Sequence, residues 1–141
     1  MRCEVIRNEG DLEKWWQHAA PLLEKCVKKA VRGEFSVEDI RKMILGGWCV
    51  GLYIHEGQLP VFAAAIEIVP YPSGLTIGNV MAVGGRDIGM VIRDFLPAAC
   101  EWMKRCGCTE VECSVSPAME RLLSRYRDGW KETYRVLRKE L

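Results

Sequence analysis

No stretch of this chain is apolar for the roughly 20 residues that a bilayer crossing needs. The first ten residues, MRCEVIRNEG, also lack the apolar core of an export signal. The expected location is the cytoplasm, with no membrane partner. Charge of one sign is missing as well: 20 basic and 19 acidic residues leave a formal net charge of +1. No global field therefore favours nucleic acid as a partner. Histidine is scarce, and neither His18 nor His55 is near Cys106 and Cys108, the one close cysteine pair. That argues against a Cys-His nucleophile and against a zinc site, which needs about four soft ligands at defined spacing. No metal is expected. Repeats, low-complexity tracts and linkers are absent too, so residues 1–141 read as a single domain.

What is present is the composition of a soluble globular protein, 49% apolar and 28% charged. Seven cysteines are an odd number in a chain without an export signal. They read as reduced, mostly buried thiols. Toward the C-terminus Arg121, Arg125, Arg127, Lys131, Arg135, Arg138 and Lys139 are interleaved with Glu120, Asp128, Glu132 and Glu140, a solvated, ion-paired face.

Periodicity divides the chain into strands and helices. Cys3–Arg7 alternates weakly as a first strand. Asp11 reads as the N-cap of a helix carrying Leu12, Trp15, Trp16, Ala19, Leu22, Leu23, Cys26 and Val27, which Pro21 either kinks or divides in two. FSVEDIRKMILGG has Ser36 as cap, Asp39 as its capping-box partner and Gly46-Gly47 as its stop. Three strands follow, Trp48–Glu56, Pro60–Pro70 and Leu75–Val83, joined by turns short enough for antiparallel neighbours. Ile88, Val91, Phe95, Ala99, Trp102 and Cys106 mark one helix. Thr109–Val115 is a strand that must return beside an earlier one through that helical crossover. Ser116–Tyr126 is a short helix with a proline near its start, and GWKETYRVLRKEL alternates as a final strand. The expected class is α/β (α+β): a mixed, mostly antiparallel sheet with helices on both faces, in the order β-α-α-β-β-β-α-β-α-β.

That order resembles the GNAT superfamily of acyl-CoA-dependent N-acyltransferases across nearly the whole chain. In the family a strand leads into a loop patterned Q/R-x-x-G-x-G/A at the start of a helix. Arg86-Asp87-Ile88-Gly89-Met90-Val91 is similar to it, with Val91 in the last place. Tyr126-Arg127-Asp128-Gly129-Trp130 is similar to the family's C-terminal aromatic-Gly-aromatic segment. The short form is most similar to GNAT-like proteins of bacteriophages and prophages. The resemblance implies acetyl-CoA as co-substrate, its diphosphate held by backbone amides across Val83, Gly84, Gly85, Arg86, Ile88, Gly89 and Met90. It also implies that Leu75–Val83 and Thr109–Val115 splay around the pantetheine. Free amides at a helix start form an anion site, and glycine permits close approach. The other reading of the same residues is a plain strand-to-helix turn with Asp87 as N-cap.

Two residues are candidates for the chemistry. Glu67 is the one carboxylate within Val61–Val69 and shares a face with Ala63 and Ala65, which leave room beside it; it is either the general base or an edge carboxylate facing water. Asn79 is the other polar residue within an apolar strand; it either fixes an acceptor or a water or is a satisfied structural asparagine. The resemblance places an acid tyrosine four residues before Gly129, where this chain has Arg125, so Tyr126 is the candidate acid, one residue late. One of Trp15 and Trp16 is expected in the core and the other on the acceptor side. GNAT domains usually finish with two strands, and after Trp130 there is length for one. The acceptor groove is therefore open, which suits a protein or peptide amine, or completed by a partner strand in a homodimer. The function implied is acetyl transfer to an unidentified amine; the alternative is a GNAT-like binding protein without catalysis.

Overall fold

The computed structural model describes residues 1–29, 33–126 and 128–141. Its first helix shows how local chemistry and packing divide the work. Strand β1 (Arg2–Ile6) leads into α1 (Glu9–Lys29). The cap is Asn8, not Asp11: the Asp11 amide donates to Asn8 Oδ1 at 2.9 Å, while Asp11 Oδ2 accepts from the Arg7 amide at 2.9 Å. Asp11 is thus the acidic residue that reaches back from inside the helix. Pro21 neither divides α1 nor ends it. It lies on the exposed side, where the Gln17 carbonyl that loses its donor can bond water instead.

Helix α2 (Val37–Leu45) follows the expected capping box. The Ser36 amide donates to Asp39 Oδ2 at 2.8 Å and the Asp39 amide to Ser36 Oγ at 3.1 Å. It stops at Gly46-Gly47, Gly47 taking φ +76°. Strands β2 (Cys49–Glu56), β3 (Leu59–Pro70) and β4 (Thr76–Gly85) are consecutive antiparallel neighbours, and β5 (Glu110–Cys113) pairs parallel to β4. The sheet order is β1-β2-β3-β4-β5. Helices α1 and α2 pack Leu23, Ile40 and Ile44 against Tyr53, Ala63, Ala65 and Ala82 on one face. The crossover packs Val91 and Met103 with Phe62, Ala64 and Ile66 on the other. The expected class, a mixed and mostly antiparallel sheet with helices on both faces, is the one observed.

The order departs from expectation in two places. The crossover is two helices, α3 (Ile88–Asp94) and α4 (Leu96–Arg105), not one. Pro97 causes the break, because its ring has no N–H to give the Arg93 carbonyl and would clash with it. The final strand is also absent. After α5 (Pro117–Arg125), residues 131–141 form no strand and are exposed. Alternation gives a segment the right side chains for a strand, but the backbone needs a neighbour to pair with, and among the described residues none lies alongside. Among the described residues no helix is long and apolar enough to cross a membrane. All seven cysteines are free thiols. Burial is less general than composition suggested: Cys49 and Cys108 are buried, whereas Cys3 and Cys106 are exposed.

Candidate functional site

The site is organised by a break in the sheet. Strands β4 and β5 pair only from Ile77 with Glu110 to Val80 with Cys113. On the other side of β4, Ala82 faces Ala65 and Val80 faces Ile66, so Met81 is an extra residue, a β-bulge. A bulge raises the local twist. It sits where the β4–β5 ladder ends, so Met81–Gly85 continue with β3 as their one strand partner among the described residues and a wedge opens toward β5.

At the far end of that wedge, the proposed loop residues divide into two groups. Val83, Gly84 and Gly85 are strand, paired with Ala64, Ala63 and Phe62. The Arg86 amide donates to the Val61 carbonyl at 2.9 Å. Of these, the Arg86 amide is spent within the sheet, and the two glycines also make close backbone contacts. A Cβ on Gly84 would overlap the Leu22 carbonyl of α1, and one on Gly85, at φ +137°, would meet the Val61 and Phe62 backbone. The second group differs. Asp87 takes the left-handed conformation (φ 53°, ψ 40°), without a side-chain cap bond, and turns the chain into α3. The first helical bond runs from the Val91 amide to the Asp87 carbonyl at 3.0 Å. The amides of Asp87, Ile88, Gly89 and Met90 thus have no acceptor among the described residues, as expected of a helix start. Arg86 and Asp87 are exposed beside them.

Tyr126 closes this end from the other side. It is the C-cap of α5, and its hydroxyl donates to the Gly89 carbonyl at 2.9 Å. A Cβ on Gly89 would stand 2.9 Å from that hydroxyl, so glycine is required for the tyrosine to seat. The candidate acid is therefore at the amide end of the wedge. β4 advances about 3.3 Å per residue, which puts this end about 13 Å from Met81.

Glu67 and Asn79 do come together. They are partners across β3 and β4, and Asn79 Nδ2 donates to Glu67 Oε1 at 2.6 Å. Cross-strand pairing extends the row to Cys49 on β2 and Glu112 on β5, all on the α1/α2 face. Cys49 is buried, with its thiol 3.8 Å from the Ile40 carbonyl. Burial, and then the Glu67 carboxylate, push that thiol up to about 11. The row stands two residues along β4 from Met81, where the wedge opens. Sequence alone paired none of these residues, because register across four strands is not a local property.

Trp15 and Trp16 both pack against the core. Trp15 lies 5.2 Å from the His55 ring, and Tyr53 lies 5.2 Å from it on its own account. Trp16 lines a depression of about 160 Å³ with Leu12, Arg41 and Leu45. His55 is buried, its Nδ1 2.7 Å from the Gly57 carbonyl and its Nε2 3.1 Å from Glu4 Oε1. It tethers the β2–β3 hairpin to β1 rather than facing the wedge, a role no spacing in the sequence signals.

No family model matches the chain, and no curated protein matches it in sequence. Solved structures do match its fold. An aminoglycoside acetyltransferase from an uncultured soil metagenomic sample, in complex with trehalose, aligns with a TM-score of 0.73 at 13% identity, over 99% of this chain and 95% of its own. The aminoglycoside N-acetyltransferase AAC(6')-Iy in complex with CoA aligns at 0.68 and 17%, over 99% and 95%. A ribosomal-protein-alanine N-acetyltransferase from Brucella melitensis biovar Abortus 2308 aligns at 0.68 and 13%, over 99% and 100%. The chain has the fold of these acetyltransferases.

Proposed function

We propose that this protein is an acetyl-CoA-dependent N-acetyltransferase. The observation that carries the reading is the pairing of two features at fixed separation: four unpartnered amides, Asp87–Met90, and a wedge that opens at Met81. The pantetheine arm is about thirteen bonds long and reaches about 15 Å at the extension per bond of a polypeptide. The stretch of β4 from Gly85 back to Met81 covers about 13 Å. A diphosphate held by the Asp87–Met90 amides thus brings the thioester to the mouth of the wedge, beside the Glu67–Asn79 pair. The group fits the residues that would hold it.

Acetyl-CoA would supply the acyl carbon, which exchanges its C–S bond for a C–N bond to the acceptor amine. The chain's own residues do the rest. Amides at a helix start, aided by its dipole, hold the negative charge. The backbone of Met81–Val83, unpaired on the wedge side, aligns the arm. Asn79 holds one oxygen of Glu67 by its 2.6 Å bond. The second oxygen is left to accept the amine proton. Tyr126 has its hydroxyl proton committed to Gly89, at the amide end. It is read as a latch that seats α5 against α3, with the departing thiolate taking its proton from water in the open wedge. Among the described residues no strand closes the acceptor side, which suits an amine on a protein or peptide.

One observation favours a second reading, a binding protein without catalysis of the kind the phage and prophage resemblance implies: the Arg86 amide is already used. Titration calorimetry separates the two. Acetyl-CoA is expected to bind, acetyl-pantetheine, which lacks the diphosphate, at least tenfold more weakly, and Gly89→Trp is expected to abolish binding. Absence of heat and of any thermal shift at millimolar acetyl-CoA would remove the donor site. Binding without acetylation of a peptide-amine panel would leave the second reading.

A further inference from the structure

The strands that flank the wedge carry charge of one sign on one face. β3, β4 and β5 contain no lysine and no arginine, and their carboxylates, Glu67, Glu110 and Glu112, all lie on the α1/α2 face. Gly78 and Val111, one residue back, face α4 instead. Asn79 gives this face a direction. A carboxylate only accepts, so the 2.6 Å contact with Glu67 Oε1 fixes the Asn79 amide with Nδ2 toward β3 and Oδ1 away from it. Glu112 is the cross-strand partner of Asn79 on the side away from β3, and its exposed carboxylate has no hydrogen bond or ion pair among the described residues. The row therefore offers acceptors and no free donor: the second oxygen of Glu67, Asn79 Oδ1 and the Glu112 carboxylate. Ammonium groups complement it, since they donate three ways and accept nothing. One amine does not reach the whole row. Strands stand about 4.8 Å apart, so Glu112 is about 10 Å from Glu67.

We propose that Glu112, together with Asn79 Oδ1, determines acceptor specificity by holding a second ammonium of the acceptor about 7–10 Å from the amine that reacts. The substrate class is then an amine that carries a second cation at that span, on a linear diamine or on a lysine-bearing peptide, and not a monoamine. The inference rests on the acetyl-transfer reading, because Glu67 at the mouth of the wedge defines which amine reacts. That amine gives its proton to Glu67 and exchanges it for the acetyl group. The far ammonium keeps its three protons and none of its bonds changes, so its contribution is to binding. Glu112 is exposed, and water and salt screen it. A contact of this kind is worth up to about a factor of five, and Asn79 Oδ1 adds a second acceptor.

Steady-state acetylation of 1,7-diaminoheptane, which spans about 10 Å, against heptylamine tests it, with calorimetry of the same amines on the full chain without acetyl-CoA. Per amino group, kcat/KM is expected to be about five- to tenfold higher for the diamine, through KM, and the advantage to shrink in about 0.5 M salt. Glu112→Gln is expected to remove at least threefold of that preference. Glu110→Gln, the same change of charge one row away, is expected to move it less than twofold. Both positions are exposed, so unchanged circular dichroism will accompany each variant. Ala-Lys amide against Ala-Gln amide identifies the source: a preference confined to the peptide pair marks a peptide acceptor, one confined to the linear pair a small diamine, and either supports the proposal. Values within twofold in both pairs overturn it and leave acetyl transfer standing, as does a preference that Glu112→Gln does not touch. A calorimetric preference that Glu112→Gln removes upholds the second-ammonium site even where no amine is acetylated, an outcome that would remove the acetyl-transfer reading alone.

Discussion

Gly84→Ala distinguishes two explanations of the same glycine. In the structure Gly84 pairs with Ala63, and a Cβ there would lie 2.8 Å from the Leu22 carbonyl carbon, with the oxygen nearer still. The obstacle is the backbone of α1, so no rotamer change relieves it. Either α1 lifts from the sheet, separating Leu23 from Ala63 and Ala82, or β4 bends. Overpacking of this kind costs about 1–3 kcal/mol, and a backbone obstacle belongs at the upper end. For a chain of this length 1 kcal/mol moves the thermal midpoint by about 4 °C, so a fall of about 8–12 °C is expected. Gly78→Ala is the internal control. Its Cβ would meet the Met103 thioether, a flexible side chain, and the loss is expected to be near the lower end. Thermal unfolding followed by circular dichroism, with and without acetyl-CoA, reads both. A Gly84→Ala midpoint within about 2 °C of the native one would refute the packing argument. If that variant also lost acetyl-CoA, it would return Gly84 to the diphosphate.

Glu67→Gln keeps the Asn79 contact and removes the proton acceptor; kcat is expected to fall by about 10²–10⁴ with the acetyl-CoA dissociation constant unchanged. Steady-state acetylation alongside calorimetry checks this, and an unchanged kcat excludes Glu67 as base. Cys49, raised to about 11 by burial and Glu67, is expected to resist iodoacetamide at pH 8 while exposed Cys106 reacts. Peptide mass spectrometry reads both sites. Because the folded thiol holds its proton more tightly than the unfolded one, its contribution to stability is complete below about pH 9 and is lost as pH rises toward 11. Equal labelling of Cys49 and Cys106 at pH 8 would contradict the burial argument.

Much of the fold was legible before any coordinates. The capping box of Ser36 and Asp39, the stop at Gly46-Gly47, the antiparallel run of three strands and the parallel return of β5 all follow from signals a few residues long. Pro97 was equally visible and marks the break at Phe95, although apolar periodicity running through it suggests one helix. Glu67 and Asn79 were each legible as a polar residue within an apolar strand, but their pairing was not. Gly84 and Gly85 were ambiguous, because glycine that lets a phosphate approach and glycine that lets a helix approach look alike in sequence.

Apart from the divided crossover helix and the unformed final strand, the amino-acid order by itself determined the elements and their succession, since caps, breakers and periodicity act between near neighbours. The tertiary structure alone decided the bulge at Met81, the use of the Arg86 amide by Val61, the seat of Tyr126 on Gly89 and the row from Cys49 to Glu112. It also decided that residues 131–141 pair with no strand among the described residues. Each of these depends on which strand lies beside which and in what register, and register is set by the packing of both sheet faces together rather than by any short stretch of chain.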